Sequence, residues 1–269
     1  MDCIFFVGTS GYSYTEWMEA GFYPDGTTSG RMLPLYAQIF SVTELNYTWY
    51  QMPRAEAVER QRRLVPPSFL FAAKLTRTLT HEIAPDHWKE EAARYREGVS
   101  PLIQSGQLAA VLIQLPPSFT RTSEHRKHLA GLIAELHGLP LAIEFRHRSW
   151  VSERVFGELA KRQVTLVGVD GPDLPELFPA LDVITNSDLI YIRFHGRNAK
   201  GWRSGKMSQQ FDYTYSDEEL AGWIEQRIIP MAKKAKKGIV FFNNHVRAQA
   251  PENARRMIRL LKEQGLTAA

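Results

Sequence analysis

The chain is poor in cysteine, because Cys3 is the only one among its 269 residues. A single cysteine excludes a disulfide framework within the chain and a cysteine-rich metal site. Long apolar runs are also lacking, so the sequence predicts no membrane-spanning helix. The apolar start, residues 1–7, is short and has no basic stretch, and we interpret it as a first strand rather than a signal peptide. We therefore expect a cytoplasmic protein that does not bind membranes.

Motifs typical of several enzyme classes are absent as well. The sequence has no Walker loop, no dinucleotide-binding fingerprint, no H-E-x-x-H motif and no His-x-His pair. Ser10 has no G-x-S-x-G context, so a serine nucleophile is not expected. The net charge of +4 suits an anionic ligand and does not by itself indicate nucleic-acid binding.

What the sequence does contain is a regular alternation of apolar strand-like runs and helical patterns. The predicted strands are 3–8, 41–46, 69–75, 108–114, 140–146, 164–170, 189–195 and 238–242. The predicted helices lie near 31–40, 54–64, 86–104, 122–137, 151–162, 216–236 and 250–264. Such alternation predicts parallel β-α-β units. Because we find no repeat, low-complexity segment or linker, residues 1–269 are predicted to form a single α/β domain.

Polar side chains stand at the carboxyl ends of these predicted strands. In chain order they are Ser10, Glu44 and Asn46, Lys74, Gln114, Glu144 and Arg146, Asp170, Arg193 and His195, and Asn243 with Asn244. Strand side chains alternate between faces, so Glu144 and Arg146 share a face and the apolar Phe145 lies on the other. Eight strands with this pattern predict a (β/α)8 TIM-like barrel with a site at its C-terminal mouth.

Two segments are too long to be simple connectors. Residues 9–30 are rich in aromatic side chains, including Tyr12 and Trp17, and residues 196–215 combine aromatic and basic side chains around Trp202. Both follow the carboxyl end of a strand, where barrel sites are built. We interpret each segment either as a lid over the site or as an aromatic plug that packs over the barrel end.

Several motifs resemble the YecE-like family, a domain-of-unknown-function family. They are Gly8-Thr9-Ser10-Gly11-Tyr12-Ser13-Tyr14 with Trp17 and Phe22-Tyr23-Pro24, Glu44-Leu45-Asn46 with Tyr50, Lys74 with Thr80-His81, Gln114-Leu115-Pro116-Pro117-Ser118-Phe119, Glu144-Phe145-Arg146-His147 with Trp150, Asp170, Arg193-Phe194-His195-Gly196, and Phe242-Asn243-Asn244. The resemblance spans nearly the whole chain. It implies a TIM-like barrel similar in outline to those of endonuclease IV and xylose isomerase, and it implies no particular activity. Tyr47 and Trp49 depart from the family pattern, and we expect them to alter the packing or the wall of the site.

The predicted mouth holds both cations and carboxylates. Lys74, Arg146 and Arg193 would form a cationic arc, and the planar fork of arginine suits a carboxylate or a phosphate. One alternative is a structural ion-pair network between these cations and the carboxylates at the strand ends. Because barrel interiors are usually filled by Val, Ile and Leu, we favour a functional pocket that binds a small anionic ligand.

The same residues permit acid–base chemistry. The predicted catalytic residues are Glu44, Lys74, Glu144, Asp170 and His195. Arg193 should lower the pKa of His195 and make it suitable as a base near neutral pH. By analogy with other barrels alone, Lys74 could form a Schiff base.

A metal site is the less favoured alternative. The candidate ligands are Glu44, Glu144, Asp170, His195, His81 and His245. They offer oxygen and nitrogen donors, but three cations among them would repel a divalent ion. We therefore predict no cofactor.

We predict an enzyme of hydrolase or lyase type that acts on a small anionic substrate. The predicted substrate-binding residues are Ser10, Tyr12, Trp17, Asn46, Gln114, Arg146, Trp150, Arg193, Asn243 and Asn244, with Trp202 as a further wall. Two alternatives stay open: a nucleic-acid-processing protein that contacts phosphates through residues 196–206, and a non-catalytic ligand-binding barrel. We also expect solvent to reach Glu144, so that Glu144→Gln costs little stability. The sequence does not indicate an oligomeric state.

Overall fold

The computed structural model describes residues 3–83 and 86–269, so the first two residues of the apolar start lie outside the described residues. Eight parallel strands follow one another around a closed barrel, because β1 pairs with both β8 and β2. The strands are β1 (Ile4–Ser10), β2 (Val42–Leu45), β3 (Leu70–Lys74), β4 (Leu108–Gln114), β5 (Leu141–Glu144), β6 (Thr165–Asp170), β7 (Ile190–Phe194) and β8 (Lys237–Phe242). The predicted (β/α)8 barrel is therefore confirmed.

Helices connect the strands, and a last helix follows β8. They are α1 (Glu16–Glu19), α2 (Ser29–Tyr36), α3 (Tyr47–Tyr50), α4 (Ala55–Arg62), α5 (Arg77–Thr80), α6 (Trp88–Gln104), α7 (Ser123–Glu135), α8 (Glu153–Lys161), α9 (Ala199–Ser204), α10 (Met207–Gln210), α11 (Asp217–Trp223), α12 (Ile229–Ala232) and α13 (Gln249–Glu263). A short strand that the sequence did not predict, β9 (Thr267–Ala268), pairs with the start of β1.

Two helices differ from their predicted form. Helix α2 begins and ends earlier than predicted, and Pro34 lies inside it. The single helix predicted over 216–236 starts with a capping box of Ser216 and Glu219, but a π-helical turn, Ile224–Ile228, separates α11 from α12. Pro230 follows this turn, and a proline has no N–H with which to continue the α-helical pattern.

The β6–β7 connection differs from the others, because residues 171–189 contain no helix. This segment packs along the chain that follows β5: the Phe178 N–H donates to the Arg146 carbonyl at 3.0 Å, and the Arg148 N–H donates to the Glu176 carbonyl at 3.0 Å. These hydrogen bonds hold the backbone on both sides of residue 147 and so position the Arg146 side chain.

The barrel interior is filled below its C-terminal end. Tyr191 and Phe241 lie on neighbouring strands with ring centroids 5.4 Å apart, and both are fully buried. On the outer face, Phe145 stacks on Trp150 and Phe194 packs against Trp223. Aromatic burial on both faces of the strands makes the barrel a rigid scaffold for its mouth.

The seam between β1 and β2 depends on a side chain, because these strands pair through only two register positions. The Tyr36 hydroxyl accepts from the Thr9 N–H at 2.8 Å and donates to the Val42 carbonyl at 3.1 Å. It thereby satisfies backbone groups that the short ladder leaves open. Among the helices of the described chain, none is both long and apolar enough to cross a membrane.

Candidate functional site

A cavity of about 590 Å³, which we call the mouth, opens at the carboxyl ends of the strands. Eight of the fifteen predicted site residues line it. They are Tyr12, Glu44, Asn46, Lys74, Gln114, Arg146, Arg193 and Asn243. Side chains from six different strands or strand ends therefore converge on one cavity, which is the arrangement found at the mouths of barrel enzymes.

Arg193 organises a charged layer beneath the mouth, which we call the floor and which comprises Glu44, Glu144, Tyr191 and Arg193. Its guanidinium donates to Glu144 Oε2 at 2.6 Å and to Glu44 Oε1 at 2.7 Å. The Tyr191 hydroxyl donates to the other oxygen of Glu44 at 2.6 Å. Arg193 is 1% exposed and both glutamates are 0% exposed. The floor is therefore a buried ion-pair network, as the structural alternative predicted.

The floor changes the roles expected for two residues. Arg193 was predicted to hold an anion, but its terminal nitrogens already donate to two carboxylates and weakly to Ser10 Oγ at 3.4 Å. Glu144 was expected to be reached by solvent, and this expectation is wrong because the side chain is fully buried. Burial alone would raise the pKa of Glu144, but Arg146 and Arg193 together hold it well below its usual range. Glu144 is thus a fixed negative charge.

Arg146 is only partly paired. Its Nε lies against Glu144 Oε1, and its guanidinium lies 5.3 Å from the Trp202 ring. The hydrogen bonds among residues 3–83 and 86–269 include none from its two terminal nitrogens, and the residue lines the mouth. One edge of the guanidinium is therefore positioned by Glu144 and the other edge is available to a ligand.

Lys74 ends β3 and reaches the same cavity. Its Nζ lies 5.0 Å from the centroid of the Trp49 ring, and no carboxylate of the described chain lies within salt-bridge distance of it. Burial lowers the pKa of Lys74 to about 7, with the positive charges of Arg193 and Arg146 acting in the same direction and Glu44 and Glu144 opposing them. A substantial share of this amine is therefore uncharged at neutral pH.

His195 lies beside the floor rather than in the mouth. Its Nε2 lies 3.2 Å from Glu144 Oε1, and its Nδ1 lies 3.2 Å from Asn243 Nδ2, which fits a neutral ring protonated on Nε2. Burial, followed by the charge of Arg146, lowers the pKa of His195 to about 3. The expected direction of the shift is correct, but the value is too low for an effective base near neutral pH.

His195 also borders a second cavity of about 230 Å³, which we call the side pocket. Arg146 and Trp202 line both cavities and stand between them. The outer wall of the side pocket comes from residues 171–180, the part of the chain where no helix follows β6. Apolar side chains such as Val169, Leu174 and Phe178 dominate the lining of the side pocket.

Asp170 does not enter the mouth, and its predicted site position is wrong. The register of β6 against β7 pairs Val169 with Arg193 and Asp170 with Phe194, so Asp170 lies on the outer face. There it accepts hydrogen bonds from Tyr215 at 2.6 Å, Trp223 at 2.5 Å and Arg197 at 2.7 Å. The residue ties the long segment after β7 to the barrel wall.

Three further predicted binding residues are also structural. Asn244 is fully buried and donates to the Tyr213 carbonyl and to Asn253 Oδ1. Trp17 is fully buried and donates to the His245 carbonyl at 2.7 Å. Trp150 donates to the Phe119 carbonyl at 2.7 Å on the outer face of β5. All three fix the segments that surround the mouth, and none of them lines it.

The mouth also contains aromatic residues that were not predicted as binding residues, namely Tyr14, Tyr47, Trp49, Tyr50 and Phe211. Trp202, which was predicted as a wall, lines it too. Trp49 Nε1 lies 3.3 Å from His81 Nδ1, and Tyr14 stacks on His245 with ring centroids 4.7 Å apart. The unusual Trp49 of the sequence therefore does form part of the site wall, and both long segments contribute to the lining.

The candidate metal ligands are not assembled into a metal site. The described residues include no cluster of three or more His, Cys, Asp or Glu side chains suited to holding a metal ion. Glu44 and Glu144 face Arg193, while His81 lies beside Trp49 and His245 stacks on Tyr14. Burial lowers the pKa of His81 to about 4, with Lys74 as the next cause.

Comparison with known proteins places these features in a family context. The model for "Protein of unknown function DUF72" matches residues 6–269. The UPF0759 protein YunF of Bacillus subtilis is 28% identical over 270 residues, which cover 95% of this chain and 94% of YunF. The UPF0759 protein YecE of Escherichia coli K12 is 29% identical over 114 residues, which cover 42% of this chain and 38% of YecE. The crystal structure of a DUF72 family protein from Thermotoga maritima superposes with a TM-score of 0.87 and 33% identity, covering 96% of this chain and 99% of that chain.

Proposed function

This chain belongs to the DUF72 family, as its YecE-like motifs predicted, and we propose that it is an enzyme that binds a small anionic substrate in the mouth. Arg146 binds the anionic group, and Lys74 acts on the substrate as an uncharged amine. One observation carries this proposal: the free edge of the Arg146 guanidinium and the Lys74 amine share a cavity of about 590 Å³.

Charge balance gives these two residues different roles. The two guanidinium groups of Arg193 and Arg146 balance the two carboxylates of Glu44 and Glu144. Lys74 has no carboxylate partner in the described chain, so its protonated form adds a positive charge that a bound anion would balance. The terminal nitrogens of Arg146 supply hydrogen-bond donors for that anion.

The mouth has the other properties of a small-molecule site. Seven Phe, Tyr and Trp side chains line it, together with the amide groups of Asn46, Gln114 and Asn243. Gln114 donates through its Nε2 to the Leu115 carbonyl at 3.0 Å, which leaves its oxygen as an acceptor toward the cavity. A mostly apolar pocket with a few oriented polar groups is the usual form of such a site.

Thermal unfolding in the presence of anions tests the binding step. Phosphate, sulfate and succinate are added at constant ionic strength to the wild-type protein and to Arg146→Gln. A ligand at ten times its Kd stabilises the native state by about 1.4 kcal/mol, which corresponds to a rise in Tm of about 3–6 °C for a chain of this size. We expect this rise for at least one anion in the wild type and its loss in Arg146→Gln. The variant should still fold, because Glu144 keeps its second partner Arg193.

Arg60→Gln is the matched control, since Arg60 is exposed on α4, outside the mouth. It should keep the full response to the anion. No rise in Tm for any of the three anions would overturn the proposal. A response that survives Arg146→Gln but requires the exposed Lys200 and Arg203 would overturn it too, and would favour the nucleic-acid alternative, because those residues lie on the basic segment after β7.

A further inference from the structure

We propose that Lys74 forms an imine with the carbonyl carbon of a substrate that also carries a carboxylate or phosphate group, with Arg146 holding that anionic group. This inference rests on the proposed function and adds to it the substrate class, which is a small carbonyl compound with one anionic end. The relevant arrangement is an amine without a counter-ion and a half-free guanidinium in one cavity.

The backbone holds Lys74 rigidly. Its carbonyl accepts a hydrogen bond from Thr48 Oγ1 at 2.6 Å, and β3 pairs with β4 up to Lys74 itself. The side chain leaves the last residue of a buried strand and passes beside the Trp49 ring, 5.0 Å from its centroid. A nucleophile on a rigid strand end with an aromatic wall meets its substrate in one orientation.

The charges around Lys74 favour the free amine. The groups that face it are Glu44, Glu144, Arg146, Arg193 and His81, and the two carboxylates are bound to Arg193 and Arg146. Burial and the two arginines therefore outweigh the carboxylates and bring the Lys74 pKa to about 7. A lysine that is desolvated and lies near other cations is the type that acts as an amine nucleophile at neutral pH.

A purely structural lysine would be arranged differently. A lysine that stabilises the fold through its charge is paired with a carboxylate, as the exposed Lys161 is with Glu158 at 2.9 Å. Lys74 has no such partner within the described chain, and its low pKa makes the charged form costly rather than stabilising. The cation–π contact with Trp49 alone does not require an amine that loses its proton near pH 7.

The chemical step is balanced without a cofactor. The Lys74 nitrogen adds to the carbonyl carbon, and the carbonyl oxygen takes up a proton to give a carbinolamine. Loss of one water molecule then removes the carbonyl oxygen together with two hydrogens, equal in number to the two that the amine gives up. The C=O bond is thereby replaced with a C=N bond. No electron leaves or enters the system, so the step needs only the amine and the carbonyl compound.

Reductive trapping tests the proposal. The wild-type protein is incubated with sodium cyanoborohydride and one of three probes: pyruvate, glyoxylate or dihydroxyacetone phosphate. Intact mass and peptide mapping then locate the adduct. We expect a single adduct on Lys74 that forms at least tenfold faster than adducts on other lysines, with a rate that rises through a pH near 7. The two 2-oxo acids and the phosphate ester show whether a carboxylate or a phosphate is preferred.

Two variants and a second wild-type measurement complete the design. Lys74→Arg should abolish the adduct, whereas Lys200→Arg should keep it, because Lys200 is exposed outside the mouth. If Lys74→Arg fails to fold, the mapped position and the pH profile of the wild type decide the question. Failure to trap any probe on Lys74, or labelling spread evenly over surface lysines, overturns the proposal.

The outcome is distinguishable from failure of the proposed function. Anion binding that depends on Arg146, without any trapping on Lys74, would refute the imine proposal and leave the proposed anion site supported. Trapping of the neutral probe propionaldehyde on Lys74, with no response to anions, would instead show a reactive amine without the anion site and would overturn the substrate class.

Discussion

Replacing Glu144 by glutamine should destabilise the protein clearly. Glutamine keeps the shape of the side chain and removes its charge. The change takes away one of the two carboxylates that hold Arg193 and the carboxylate oxygen next to Arg146. Glu44 still binds Arg193 at 2.7 Å, but Arg146 loses the only carboxylate it contacts in the described chain. This variant therefore tests whether the ion pairs of the floor stabilise the fold.

The magnitude follows from burial. Glu144 is 0% exposed and Arg193 is 1% exposed, and removing one partner of a buried pair costs about 3–5 kcal/mol. Since Arg193 keeps one carboxylate and the amide oxygen can still accept a hydrogen bond, we expect a value near the lower end, about 3 kcal/mol. For a chain of this size, that loss lowers the Tm by about 6–12 °C.

Denaturant and thermal unfolding of the two proteins measure the effect, with equal slopes required for a valid comparison of midpoints. Glu158→Gln provides the control, because Glu158 pairs with Lys161 on an exposed helix surface and should leave the Tm unchanged. A loss of less than about 1 kcal/mol in Glu144→Gln would refute the reasoning, since a buried pair could not then be what holds the floor. It would also restore the sequence-based expectation that Glu144 lies in water.

Two further variants separate the reacting group from its support. Lys74→Met should raise the Tm at pH 6 and change it little near pH 10.5. Between a pH of about 7 and 10.5, the unfolded chain holds the Lys74 proton more tightly than the native protein does, so the wild type gains stability as the pH rises through this window. Methionine removes the cost of the buried charge, which is largest at low pH. Thermal melts at both pH values check this, and an equal effect at the two would contradict it. Asp170→Asn should lower the Tm by several degrees, because it weakens the bonds to Tyr215, Trp223 and Arg197, while the Tm response to phosphate stays as in the wild type. If Asp170→Asn folds but its Tm no longer responds to phosphate, Asp170 would belong to the binding site after all.

Much of the fold was predictable because the relevant signals are local. Apolar runs such as 108–114 and 164–170 are fully or almost fully buried as strands, and the polar residues that end them mark the barrel mouth. The absence of a helical pattern after residue 170 corresponds to an irregular segment in the structure. The π turn before Pro230 was not predictable, because it depends on how the helix packs rather than on periodicity.

Two errors in the site, those at Asp170 and Asn244, concern the strand face on which a residue lies. Alternation gives the relative face of residues within one strand, but the absolute face of a strand depends on its pairing with neighbours. In β6 the inward positions are Val167 and Val169, as the pairing with Tyr191 and Arg193 shows, so Asp170 points outward. Asn244 follows Asn243 directly and therefore lies on the opposite face, which the sequence alone could have indicated.

The difference between Arg193 and Arg146 could not be read from the sequence, although both stand two residues from another polar group on a strand end. Arg193 extends across the barrel interior to Glu44 on β2 and Glu144 on β5, and this reach depends on the barrel geometry. Arg146 follows the end of β5 two residues after Glu144 and lines the mouth, with no hydrogen bond from its terminal nitrogens in the described chain. Arg193 is thus engaged in structural ion pairs, whereas Arg146 keeps hydrogen-bond donors available to a ligand. Because both carboxylates of the floor are bound by Arg193, the chemistry of the mouth depends on the two bases above them, and Lys74 is the one of these whose protonation changes near neutral pH.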